Sequence, residues 1–249
     1  MRETRRWAAI YLILYLAMLA VNYLSSMNVG NVADESKTLI QPAGYAFSIW
    51  GLIYLLLGIW IIKLFMVKST AGSQHHLTFW PALNFIINGL WIYVFSNGFK
   101  GLSVIVIAAL LVTLIVMYRK VSNHQYNGFD RFVFSSYFGW VTVATIVNIF
   151  TWVKSMSVTS VLGLSELSWG NMMLVVALAL AVYIAFKYRD FVYPLIFIWA
   201  YSAIIIETDG NYQSLTTVLI ISLIALAVTA LIIVVKQLKQ RTETMLNRL

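Results

Sequence analysis

Long uncharged apolar runs, separated by short polar stretches, dominate this chain. Eight stand out, at residues 7–24, 45–62, 79–95, 102–118, 132–152, 169–186, 191–206 and 215–235, the seventh being the shortest. Apolar runs of about 17–25 residues are long enough to cross a bilayer as helices. None of them alternates strictly between polar and apolar over about ten residues, as a strand of a membrane barrel would. In hydrocarbon every backbone N–H and C=O needs a partner, and a helix supplies these within its own segment. The pattern therefore predicts an all-α fold, a polytopic membrane helix bundle of about eight transmembrane helices.

Composition strengthens that reading. Of 249 residues, 61% are hydrophobic and 10% are charged, where a soluble domain carries about a quarter charged. The charges are also asymmetric. Arg2, Arg5 and Arg6 precede the first run, and Lys63 and Lys68 follow the second. Arg119, Lys120 and Arg131 flank the fourth connection, and Lys187 and Arg189 fill the sixth. Lys236, Lys239, Arg241 and Arg248 close the chain. Fourteen of the seventeen Lys and Arg thus fall on one side, leaving Lys37, Lys100 and Lys154 for the other. Cytoplasmic loops carry the excess of Lys and Arg, so both termini are expected in the cytoplasm, which requires an even number of crossings. The net charge of +8 is then a topology signal, with attraction to anionic membrane lipid added, and no nucleic-acid partner is expected. The basic start followed by an apolar run has the look of a signal peptide, but no A-x-A site follows and the run is too long for a signal core.

Several chemistries are excluded. The chain has no cysteine, which removes disulfides, thiolate catalysis and Cys-ligated metal. His75, His76 and His124 lie in polar connections and read as solvated, so no metal is expected. No run interior contains Asp, Glu, Lys or Arg, the residues that mark ion-coupled pathways in membranes. Pro42, Pro81 and Pro194 each stand at or just before a helix start, where the missing N–H costs little. No phosphate-binding Gly-rich loop or nucleophile elbow is present. No catalytic residue is assigned, and a binding role is favoured over an enzyme.

What remains is patterned apolar surface. In the second run Phe47, Trp50, Tyr54 and Gly58 are spaced by three, four and four, which places them on one helical stripe. In the third, Asn84, Asn88 and Trp91 are spaced by four and three. In the fifth, Trp140, Ala144, Asn148 and Trp152 recur every four residues, with Thr145 alongside. Trp and Tyr gather at membrane interfaces, and Asn and Thr bond between helices, so each residue alone has a structural explanation. Together, aromatic faces and amides suit a pocket that stacks a flat ligand and fixes it with a few hydrogen bonds. The candidate ligand-binding set is Phe47, Trp50, Tyr54, Asn84, Asn88, Trp91, Trp140, Ala144, Thr145 and Asn148. Ala177, Ala181 and Ala185 form a small-residue face for close helix packing. The eighth run is nearly featureless and reads as a lipid-facing or packed scaffold helix.

These stretches carry a family resemblance. "PAGYAFSIWGLIYLLLGIW", "LNFIINGLWIYVF" and "YFGWVTVATIVNIFTW" together resemble, in order and spacing, the TspO/MBR family of tryptophan-rich sensory and translocator proteins. That family has an "F-x-x-x-W-x-x-L-Y-x-x-M-G"-like second helix, an "L-N-x-x-W" third and an "A-W-x-x-F-A-T-x-L-N" fifth. The resemblance covers about residues 1–155. It implies a TspO-like five-helix core, with residues 156–249 adding three extra helices and a short basic cytoplasmic tail. It also implies a bacterial plasma-membrane location and a pocket near one membrane face, roofed by the first loop, "SSMNVGNVADESKTLIQPAG". Family members bind porphyrin-type tetrapyrroles. By resemblance Trp50 and Tyr54 match the second-helix aromatics, Asn84 and Trp91 the third-helix pair, and Trp140, Ala144 and Asn148 the fifth-helix set. The family's double proline is Pro42-Ala43 here, and the fifth helix ends "NIFTWVKS" without the Tyr and Arg linked to sterol recognition. The expected partners are a hydrophobic small molecule, membrane lipid and a second copy in a homodimer; no cofactor is required beyond a porphyrin-type ligand. Two other functions fit the same residues: an uncoupled transporter of a lipid or small hydrophobic molecule, and light-dependent porphyrin degradation with Trp50 and Trp140 as reactive groups.

Overall fold

A computed structural model of the chain describes residues 2–66, 77–123, 128–158 and 160–246. His75, His76, His124, Lys68 and Arg248 lie outside the described residues. All eight apolar runs are helices: α1 (Arg2–Asp34), α2 (Ile49–Met66), α3 (Trp80–Ser96), α4 (Lys100–Asn123), α5 (Gly128–Ser155), α6 (Glu166–Tyr188), α7 (Val192–Thr208) and α8 (Gln213–Leu246). A short 3-10 turn, Gly44–Ser48, leads into α2, and a two-stranded hairpin, β1 (Ser160–Val161) and β2 (Leu164–Ser165), precedes α6. Six helices are long and apolar enough to cross a membrane. The other two, α3 and α7, have 17 residues each and rise about 26 Å, slightly less than a bilayer's hydrocarbon core. The protein is an integral membrane helix bundle. Large apolar side chains such as Leu55, Ile62, Ile105, Ile206 and Leu231 are exposed, as lipid contact requires.

The chain forms two compact units, residues 1–38 with 47–159, and residues 39–46 with 160–249. In the first, α1 packs on α2 and α3, α3 on α4, α4 on α5, and α5 on α2. At one end Lys63, near the end of α2, pairs with Asp130 in the first turn of α5 at 2.6 Å, and the Tyr11 hydroxyl of α1 donates to the Thr78 carbonyl just before α3. At the other end Lys100, opening α4, donates to Ser36 Oγ at 2.8 Å, just beyond α1. Successive helices therefore run up and down. Every residue of α5 from Val133 to Val143 is buried, so this stretch of the helix has no single inward face; beyond it Thr145, Asn148 and Thr151 are buried while Ile149 and Trp152 are exposed.

In the second unit α6, α7 and α8 pack against one another. Ala177, Ala181 and Ala185 of α6 are buried together, as their spacing predicts. The Tyr201 hydroxyl of α7 donates to the Leu174 carbonyl at 2.7 Å. Ser165 caps α6 by accepting from Ser168 N, and Asp190 accepts from Val192 N and Tyr193 N at the start of α7. The eighth run packs as scaffold: Leu215, Leu219, Ser222, Leu226, Thr229 and Ile233 are buried at alternating steps of four and three, with Ala230 alongside, the seam of a packed helix.

The first loop differs from its expected form. Through Asp34 it continues α1, and residues 39–46 form a strap belonging to the second unit. Leu39 N donates to Glu166 Oε1 at 2.9 Å, Ala43 N to the Ala203 carbonyl at 3.1 Å, and Trp199 Nε1 to the Ala46 carbonyl at 3.0 Å. Tyr45 meets the Trp199 ring edge-on, 5.3 Å between centroids. The roof expected over the aromatic stripes is thus committed, at residues 39–46, to α6 and α7. Glu166 opens α6 and anchors the strap.

Gly170 makes room for this strap: a Cβ there would meet Ile40 Cγ2 at 3.1 Å and Leu215 Cδ1 at 3.8 Å. Gly170→Leu gains helix propensity worth about 1 kcal/mol but pushes Ile40 off α6. The expected result is faster tryptic cleavage at the adjacent exposed Lys37 in detergent-solubilised protein. Unchanged cleavage would show that the strap does not depend on that close approach.

Candidate ligand site

Trp50 is the junction of the aromatic stripes. Its ring stacks on Tyr54 one turn later at 5.5 Å and 28°. It also meets Trp91 of α3 at 5.6 Å and 34°, and Tyr137 of α5 edge-on at 6.0 Å. Phe47, one turn before Trp50, stands edge-on to Trp140 of α5 at 5.9 Å and 86°. Offset and edge-on pairs in this range are each worth about 0.5–1.5 kcal/mol beyond burial. The stripes of α2, α3 and α5 therefore turn toward one another inside the first unit.

A line of hydrogen bonds runs behind the rings. Tyr54 Oη donates to Asn22 Oδ1 of α1 at 2.7 Å. Asn22 Nδ2 donates to Asn88 Oδ1 at 3.0 Å, and Asn88 Nδ2 donates to Tyr137 Oη at 2.8 Å. Tyr137 also interacts with Asn84, whose Nδ2 donates to Thr113 Oγ1 of α4 at 2.7 Å. The Thr113 hydroxyl donates to its own helix at the Leu110 carbonyl. All five helices of the unit contribute to this line. A second cluster sits nearby on the same stripes: Trp91 Nε1 donates to Asn148 Oδ1 at 3.2 Å, and Asn148 Nδ2 donates to Ser103 Oγ at 3.0 Å.

Most of the candidate polar groups are therefore already engaged. Asn88 and Asn148 satisfy neighbouring helices, and Thr145 Oγ1 donates back to the Val141 carbonyl at 2.7 Å. Trp140 is different: its ring is buried, and its Nε1–H has no hydrogen-bond partner among the described residues. Asn84 Oδ1 is likewise buried without a bond of proper geometry. Phe47, Trp50, Tyr54 and Ala144 are half-buried, whereas Asn84, Asn88, Trp91, Trp140, Thr145 and Asn148 are buried. The open edge of the cluster is thus the α2 aromatics, with amides and Trp140 beneath. Asn22, Tyr137, Ser103 and Thr113 were missed in the sequence reading. Tyr137 lies three residues before Trp140 on the same stripe, and Asn22 is an amide inside an apolar run, so both left a signal. Ser103 and Thr113 left none.

Chemically the cluster can stack a flat apolar ring and offer one indole N–H to an acceptor. It contains no Asp, Glu, His, Lys or Arg. Among the described residues no group of three or more His, Cys, Asp or Glu is placed to hold a metal. A family model described as TSPO-like protein matches residues 8–235. The match reaches α8, so it takes in the three helices after residue 155 that the motif resemblance left outside. No curated protein and no solved structure matches the chain.

Proposed function

The chain belongs to the TSPO-like protein family, and on that footing we propose that it is a membrane-embedded binding or sensory protein for a planar hydrophobic ligand, a porphyrin-type tetrapyrrole. In this reading the ligand stacks on Phe47, Trp50 and Tyr54 from the α2 side and is oriented by Trp140. The protein works in the bacterial plasma membrane with both termini cytoplasmic, a placement supported by the Lys and Arg asymmetry of its connections.

One observation carries the reading: the buried Trp140 Nε1–H, without a partner among the described residues, beneath an edge-on Phe47 ring. A buried donor left unbonded costs about 1–3 kcal/mol, a cost that a ligand acceptor removes once the half-buried Phe47 ring gives way. A site that only packed its helices would have no use for that donor.

Trp140→Phe tests this directly, because it keeps a ring and removes the donor. Titration with protoporphyrin IX, followed by quenching of tryptophan fluorescence, should give about fivefold weaker binding, the equivalent of about 1 kcal/mol. The unliganded protein should melt at the same temperature or higher, since a stranded polar group has gone. A parallel loss of stability and binding would mean that Trp140 is a packing residue. Equal affinity in the variant would remove it from the site.

A further inference from the structure

At the end of the first unit where α2 stops and α5 begins, Arg131 stands in the first turn of α5. Its guanidinium is permanently charged, with donors in a rigid plane. Nε and Nη2 are both shut off from solvent, and neither has a hydrogen-bond partner among the described residues. Those two nitrogens share one edge of the plane, the edge that accepts two oxygens side-on.

The carboxylates among the unit's described residues do not supply the oxygens. Asp130, next in sequence, pairs with Lys63 at 2.6 Å, whose ammonium also lies 5.7 Å from the Phe129 ring centroid. Glu3 is exposed on α1, and Asp34 and Glu35 lie at the far end of that helix. With the pair neutralised, the Arg131 charge is left over beside the N-terminus of α5, whose dipole also favours an anion. Arg131 as a whole is only half-buried, and its flexible stem lets the fork turn toward the water–lipid boundary at the helix end.

We infer that Arg131 forms a phosphate-binding site at this end of the first unit, taking two oxygens of the anion on its Nε–Nη2 edge. At the end of a membrane-crossing helix, the phosphodiester of a lipid headgroup and free phosphate in solution both offer that chemistry. This site is separate from the aromatic cluster and uses none of its residues.

The test uses full-length protein in a neutral detergent, with dioctanoyl phosphatidylglycerol and inorganic phosphate as probes. Binding is read by native mass spectrometry and by the shift in melting temperature. At least one probe should bind the wild type. Arg131→Gln should weaken that binding at least tenfold, and Arg131→Lys, which keeps the charge and loses the fork, at least threefold. If Arg131→Gln does not fold, the Lys variant decides. Lipid binding that phosphate fails to displace identifies a headgroup site, and displacement by phosphate identifies a free-anion site; either outcome upholds the proposal. Wild-type protein that binds neither probe, or variants that bind as tightly as wild type, would overturn it.

Discussion

Replacing Asn88 by alanine should lower the stability of the protein by about 3 kcal/mol, from lost hydrogen bonds and the cavity left behind. Asn88 is fully buried. It accepts from Asn22 Nδ2 at 3.0 Å, lies 3.5 Å from Tyr54 Oη and donates to Tyr137 Oη at 2.8 Å. One amide thus joins α1, α2, α3 and α5. A single hydrogen bond between membrane helices averages only about 0.6 kcal/mol, because unfolded helices find other partners in the bilayer. The larger figure comes from the buried Tyr137 Oη and from Asn22 Nδ2 losing their Asn88 partner together, with the cavity that the missing amide leaves; Tyr54 Oη keeps Asn22 Oδ1. A double-mutant cycle with Tyr137→Phe isolates the effect. With the phenol gone, the cost of Asn88→Ala should fall by about 1 kcal/mol, measured by SDS titration of the reconstituted protein. A change under about 0.5 kcal/mol for Asn88→Ala would show that the line of hydrogen bonds is incidental to stability.

Asn88 also shows where sequence reasoning stopped. The eight helices were legible because each run must satisfy its own backbone in lipid, and that demand leaves a length and a composition to read. Helix ends were less so: α1 continues through polar residues to Asp34, since polar side chains do not stop a helix in water. The spacing of Asn84, Asn88 and Trp91 predicted a shared face, and the face exists. Its partners could not be read: Asn22 pairs with a residue 66 positions away, and one amide in an apolar run has no periodicity to reveal its direction. The inward face expected of α5 is distinct only beyond Val143, where Thr145, Asn148 and Thr151 are buried, for a related reason. A helix buried all round is apolar all round, so its polar stripe stood out more in sequence than in the packed unit. The strap at residues 39–46 was beyond reach, because its contact from Ala43 to Ala203 depends on how distant helices assemble. The seam of α8 was hidden for the opposite reason, since lipid-facing and packed positions on that helix are equally apolar.

Trp50→Ala should weaken protoporphyrin IX binding about thirtyfold, the equivalent of about 2 kcal/mol. Trp50 is the ring on which the three stripes meet, touching Tyr54, Trp91 and Tyr137, and it is half-buried, so one part is open to a guest. Its loss removes a stacking face and the ring contact that Tyr54 and Trp91 share. Because the mutation also deletes a fluorophore, binding is best followed by the shift of the porphyrin's own absorption band. Trp50→Phe separates the two contributions: it restores a flat apolar face with less area and should recover most of the affinity. Helicity should be unchanged in both variants, since among the described residues Trp50 makes ring contacts but no hydrogen bond across helices and each span satisfies its own backbone. Should Trp50→Ala bind porphyrin as tightly as wild type while Trp140→Phe does not, the guest would lie deeper, against α5 alone. Should neither variant affect binding, the aromatic cluster would be a packing device, and the amides on it no more than the joints of the bundle.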